Sequence, residues 1–173
     1  MRFALGLLAC CGGAPTVDTT PAPDESAFAP LEVGADYASY RKLSDAPFRS
    51  TAHGDRFVEV YVNQVGAAVY LTDAEIPVGT VVVKTSWQNV DGKPSDVAGP
   101  IFVMEKRASG YDPAHADWWY AIHWAKPPAP EARKFGGPFY WRGKSPRVAY
   151  CWRCHDDYER SLGGLTPSSV LPR

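Results

Sequence analysis

The chain has 173 residues, 45% of them apolar and 21% charged, with a formal net charge of −1. That length allows one domain with a substantial core, and the near-neutral balance offers no basic surface for nucleic acid. Sixteen Pro and fifteen Gly point to many turns and argue against a helical bundle. An aromatic content of 13% suits either a β-rich core or the packing of a large flat ligand.

Met1 to Ala9 reads MRFALGLLA, one arginine and then an apolar run, with Cys10 next. This is the pattern of a short secretory signal. Leu7-Leu8-Ala9-Cys10 resembles a bacterial lipobox, in which Cys10 receives lipid and becomes the mature N-terminus. An ordinary cleaved signal is the alternative. No other stretch is apolar for long enough to span a membrane. Gly12 to Pro30 is rich in Pro, Thr, Ala and Asp without periodicity, so residues 11–33 read as a flexible tether. Residues 34–162 are expected to form the folded domain and 163–173 a loose tail.

Within the domain, Asp36 to Leu43 is expected to make one or two helical turns with Tyr37 and Tyr40 on one face. Ser50 to Asp55 reads as a turn, with His53 a turn residue. Arg56 to Asn63 is a strand alternating Phe57, Glu59 and Tyr61 against Val58, Val60 and Val62. Asn63 can cap a short helix, QVGAAVYL, whose Val65, Ala68 and Val69 share a face. Thr80 to Trp87 is a β-branched run, expected to be buried on much of both faces. Lys84 sits at the end of its apolar part. The ordinary reading puts its ammonium in solvent. The other reading is a buried amine of lowered pKa.

Gly92 to Gly99 reads as a loop. Ile101 to Arg107 is a strand with Phe102 and Met104 on one face and Ile101 and Val103 on the other. Ala108 to Ala116 is a loop carrying His115. Asp117 to Trp124 is an aromatic strand that sets Trp118, Tyr120, Ile122 and Trp124 opposite Trp119, Ala121 and His123. Lys126 to Pro146 reads as an ordered Pro- and Gly-rich loop over the core. Arg147 to Leu162 is expected to enter a short C-terminal helix, ended by Gly163-Gly164.

That last segment contains Cys151-Trp152-Arg153-Cys154-His155, the attachment signature of a c-type haem. Each thiol can add to one haem vinyl group, and His155 is then placed to be the axial iron ligand. A zinc site commonly needs four Cys/His ligands, and the chain has four cysteines, two of them near its start. A thioredoxin-like pair is expected in a βαβ setting, which is not seen here. The reading is one covalent haem c on Cys151, Cys154 and His155. Met104 and His123 are candidates for a second axial ligand, each set against a structural role, and His53 is a turn residue that could approach the haem. Export agrees with this reading, since bacterial c-type haem is attached outside the cytoplasmic membrane.

The strand ending VYVN, the Pro/Gly turn into GTVVVK, the aromatic DWWYA strand and the C-terminal CxxCH together resemble the cytochrome P-460 family. The related cytochromes c′-β share the scaffold, and the resemblance spans Tyr37 to Leu162. It implies an α+β fold, a twisted antiparallel β-sheet with short flanking helices and a C-terminal CxxCH haem-attachment segment. It implies one haem with the motif histidine proximal and the distal position open. It also implies that Lys84 matches a lysine bonded to the haem macrocycle in P-460 members. Those members oxidise hydroxylamine, in some cases coupling it with nitric oxide, whereas c′-β members bind nitric oxide without the cross-link. A carboxylate would help to remove protons, with Asp156, Asp157, Glu59 and Glu105 as candidates. The expected protein is thus an exported cytochrome, periplasmic or held to the membrane only by a lipid on Cys10. Its partners would be a small nitrogen compound and a redox protein, and a homodimer is compatible with all of this.

Overall fold

The computed structural model describes residues 29–72 and 74–156. The signal with Cys10, most of the tether, Asp157, the stretch 158–162 and the tail lie outside the described residues. The strands are β1 (Arg41–Lys42), β2 (Phe48–Ser50), β3 (Arg56–Val62), β4 (Val81–Val90), β5 (Lys93–Ala98), β6 (Ile101–Lys106), β7 (Trp118–Trp124) and β8 (Phe139–Arg142). Two short helices follow the later strands, α1 (Ala129–Phe135) and α2 (Ala149–His155). The strands form one sheet in the order β1-β3-β4-β6-β7-β8, with β2 beside β3 and β5 beside β4. Every pairing is antiparallel. The fold is therefore the α+β architecture expected, mostly antiparallel sheet with two short helices.

Strand alternation divides the sheet into two faces. Register places Val60, Lys84, Phe102, Ile122 and Trp141 in one row across five strands. The next row on that face is Val62, Val82, Met104 and Tyr120. This face carries the larger core, with Tyr70, Trp118, Trp124 and Val148 buried in it. Tyr61, Val83, Val103 and Ala121 line up on the opposite face. That face holds a second cluster, covered by Leu31, Val33, Tyr37 and Tyr40. Leu31 and Val33 belong to the stretch read as tether, so packed chain begins before residue 34.

Four local expectations are corrected. Asp36 to Leu43 makes only a single 3-10 turn, Tyr37–Ser39, before β1 begins. Tyr37 and Tyr40 do share a face, because both pack on the second cluster. QVGAAVYL forms overlapping turns rather than a regular helix, and Val65 is exposed while Tyr70 is fully buried. Gly92 to Gly99 is not a loop. Asp91 (φ 50°) and Gly92 (φ 80°) are both left-handed, the backbone a tight two-residue hairpin requires. They turn β4 into β5, an exposed strand whose polar residues hide the usual alternation. Finally, Lys126 to Pro146 contains α1 and β8. The cues for α1 were present, with Pro130 in its first turn and Gly136 (φ 81°) closing it by a bond from its N–H to the Ala132 carbonyl (2.9 Å).

Asn63 holds the crossing from β3 to β4 together. Its Oδ1 accepts from the Gly66 and Val81 N–H groups (3.3 and 3.1 Å), and its Nδ2 donates to the Gly79 carbonyl (2.9 Å). Alanine would remove the side-chain partners of the Val81 N–H and the Gly79 carbonyl, while the Gly66 N–H keeps its bond to the Asn63 carbonyl (3.2 Å), so Asn63→Ala is expected to cost about 1–3 kcal/mol. The check is a lower urea midpoint at unchanged m-value.

Candidate functional site

Helix α2 brings the motif onto the first face of the sheet. A 3-10 turn, Pro146–Val148, leads into it, with Ser145 Oγ accepting from the Arg147 N–H (3.2 Å). Val148 is fully buried and pins the start of the helix to the core. One helical turn then separates Cys151 from Cys154, so both side chains emerge on one side. His155 follows and is buried, its ring 5.5 Å from that of Tyr120. Behind the helix, Trp152 stacks on His115 at 4.8 Å, and His115 Nδ1 lies 2.6 Å from Asp156 Oδ2. The Ala108 to Ala116 loop thus clasps the end of α2 through His115.

Between α2 and the sheet lies a cavity of about 120 Å³. Lys84, Phe102, Met104 and Tyr120 form its sheet wall, and Cys151, Cys154 and His155 its helix wall. A second cavity of about 470 Å³ adjoins it, sharing His53, Phe102 and Tyr150. Arg56, Trp124, Trp141 and, from α1, Glu131 and Lys134 line that larger space. The smaller cavity alone is below the size of ordinary cofactor sites, about 300–1,000 Å³, and the larger one is within it. The two together suit a broad flat group that starts at α2 and crosses Phe102.

Lys84 does not send its head to solvent. It is 3% exposed, and burial pushes its amine down to about 8. Its Nζ lies 3.3 Å from His53 Nε2, and His53 Nδ1 lies 2.7 Å from Ser50 Oγ. His53 is therefore more than a turn residue. Gly54 is left-handed (φ 77°) and closes a 3-10 turn that tips the imidazole into the cavity. Burial, and next the Lys84 charge, hold His53 well below the ordinary imidazole range, so the ring is neutral. With Lys84 donating to Nε2, the remaining ring proton sits on Nδ1 and faces Ser50.

The other candidates separate cleanly. Met104 lines the smaller cavity and packs in the core at once. His123 is on the opposite face, its Nε2 3.2 Å from the Ala29 carbonyl. Glu59 and Glu105 also face away from Lys84, since Glu59 pairs in register with Thr85 and Glu105 with Val81. They are held by Lys42 and Arg107 respectively. Asp156 is engaged by His115 behind α2. The carboxylate that does reach the larger cavity is Glu131, which the sequence reading left inside a presumed loop.

The rival uses of Cys-x-x-Cys fare poorly against this geometry. Burial raises the Cys151 thiol to about 12, whereas a reactive redox cysteine is lowered. Among the described residues, no group of three or more His, Cys, Asp or Glu side chains is arranged to hold a metal ion. The sheet has no βαβ unit among the described strands.

An antiparallel sheet facing a Cys-x-x-Cys-His helix across an aromatic-walled pocket defines the class, a β-sheet protein shaped for a large planar cofactor. The chain belongs to the cytochrome P460 family, whose model matches residues 35–161. Family membership implies haem binding, and the donor set fits it: two thiols on one helix face, a buried imidazole beside them and apolar walls. No curated protein matches the chain closely enough to add to this.

Proposed function

We propose that the protein is an exported mono-haem c cytochrome acting on small nitrogen compounds, by hydroxylamine oxidation, nitric oxide binding or both. Cys151 and Cys154 carry the haem through thioether bonds, and His155 is the axial ligand. The observation that carries this reading is that all three side chains line one cavity, with Lys84 buried opposite them. The haem supplies the redox change. The chain's own residues exclude water with Phe102, Tyr120 and Trp124, hold the Lys84 amine through His53, and place Glu131 in the adjoining space as a proton acceptor. Lipid on Cys10 keeps the protein at the periplasmic side of a bacterial membrane, where a redox protein takes its electrons.

A second reading, a six-coordinate electron carrier, draws on one observation: Met104 and His53 also line the cavity. Adding nitric oxide to the reduced, haem-loaded protein tests the two. The first reading expects a stoichiometric change in the visible spectrum and hydroxylamine-dependent reduction of an artificial acceptor. A low-spin spectrum that nitric oxide leaves unchanged sinks it in favour of the carrier.

A further inference from the structure

Arg56 is placed unusually for an arginine. Its side chain is only 14% exposed, and its Nη1 is buried without a hydrogen-bond partner. The guanidinium lies 4.9 Å over the Trp124 ring. Its ion-pair contact with Glu131 is long, at 3.9 Å, and uses Nη2. Trp124 Nε1 is likewise buried without a partner. Gly99 makes room for this arrangement, because a Cβ there would come within 2.7 Å of Nη1. Burial lowers the Arg56 pKa, but a guanidinium stays charged in proteins. Arg56, Trp124 and Lys134 thus line the larger cavity, which shares Phe102 with the smaller one that holds the cysteines, and the guanidinium brings a positive charge to it. Buried donors of this kind ordinarily have partners.

A haem carries its two vinyl groups on one edge and its two propionate carboxylates on the opposite edge. Fixing the vinyl edge at Cys151 and Cys154 sends the other edge into the larger cavity. We infer that Arg56, with Trp124 Nε1 and Lys134, seats the haem propionates. The Arg56 guanidinium and the Trp124 indole N–H turn towards the cavity that their side chains line and donate to carboxylate oxygens, charge-assisted in the first case. Lys134, more exposed on α1, screens the second carboxylate. This rests on the covalent haem reading given above.

The test uses the full haem-loaded chain as wild type, Arg56→Leu, Arg56→Lys, Trp124→Phe and Arg133→Leu. Arg133 is an exposed neighbour on α1 that does not line the cavity. Intact mass after denaturation reports covalent haem, resonance Raman reports the propionate bending mode, and redox titration reports the midpoint potential. Arg56→Leu is expected to shift the bending mode to lower frequency and to lower the potential, since a positive charge that favours the added electron is gone. Arg56→Lys falls between the two, Trp124→Phe lowers the bending frequency, and Arg133→Leu matches wild type. The seat is overturned if Arg56→Leu matches wild type in both readouts, or if Arg133→Leu shifts as far. Where Arg56→Leu does not fold, Arg56→Lys and Trp124→Phe decide, and two unshifted spectra overturn the inference. Wild-type protein with haem on its cysteines but no Arg56 effect refutes the seat alone. Wild-type protein without haem refutes the covalent reading and the seat with it.

Discussion

Protein carrying Cys151→Ser and Cys154→Ser together is expected to carry no haem on the peptide of residues 151–154, whereas each single replacement keeps the group on the remaining thiol. The argument is one of chemistry and spacing. A hydroxyl does not add to a vinyl group as a thiol does, and serine nearly matches cysteine in size, so packing changes little. Cys151 is the more telling single replacement, because it is half-buried against the cavity while Cys154 is exposed. His155→Ala should behave differently. Both thioether bonds form, but the visible spectrum changes because the buried imidazole is gone. A bound group that contacts only the folded state stabilises it. The double serine variant is therefore also expected to unfold at lower temperature than wild type. Haem mapped to the peptide of residues 151–154 in the double variant would refute the attachment site, and a spectrum unaltered by His155→Ala would refute the axial role.

Much of this site could be read from the sequence, and the reason is physical. β3, β4, β6 and β7 have sharp two-residue alternation, so their facing followed from the residues alone. Phe102, Met104, Tyr120 and Ile122 were assigned to faces that the register confirms. The helix at Cys151 falls within the stretch expected to enter one, although residues 158–162, which argue for it, lie outside the described residues. What escaped was set by turns and by contacts distant in sequence. His53 looked like a loop residue because its role depends on Gly54 closing a turn and on Lys84, thirty-one positions away. Arg56 read as an ordinary start of a strand, and nothing local announces that its guanidinium is buried over Trp124. Glu131 lay in a Pro-rich stretch whose helix cues were outweighed by Pro127, Pro128 and Pro130. The charged half of the pocket thus comes from residues whose meaning is tertiary, and the apolar half from residues whose pattern is local.

Lys84 carries the prediction that separates an enzyme from a gas-binding protein on the same scaffold. Peptide mapping of the haem-loaded protein is expected to show haem joining the Cys151–Cys154 peptide to the peptide that contains Lys84. The structure supplies the nucleophile for such a bond, while an external oxidant such as peroxide takes up the two electrons released when a macrocycle C–H is exchanged for C–N. The amine is buried in the row between Val60 and Phe102, lines the same cavity as the two cysteines and is steadied by His53. Its lowered pKa leaves more free amine than an exposed lysine has. The same burial predicts a stability signature in protein made without haem. Folded Lys84 titrates near 8 and an unperturbed lysine near 10.5. Between those values the unfolded chain binds more protons, so stability rises with pH across that window. Below it, the buried ammonium costs about 3 kcal/mol. Lys84→Met is close in length and apolar, and should be more stable than wild type at pH 7 by up to that amount. The gain should fade as pH climbs towards 10.5. Haem-loaded wild type should lack this pH dependence, because a nitrogen bonded to the aromatic macrocycle no longer titrates as an alkylammonium. Haem found on the cysteines alone, with the pH dependence intact, would leave Lys84 an uncross-linked wall of the cavity and move the function from hydroxylamine oxidation to nitric oxide binding.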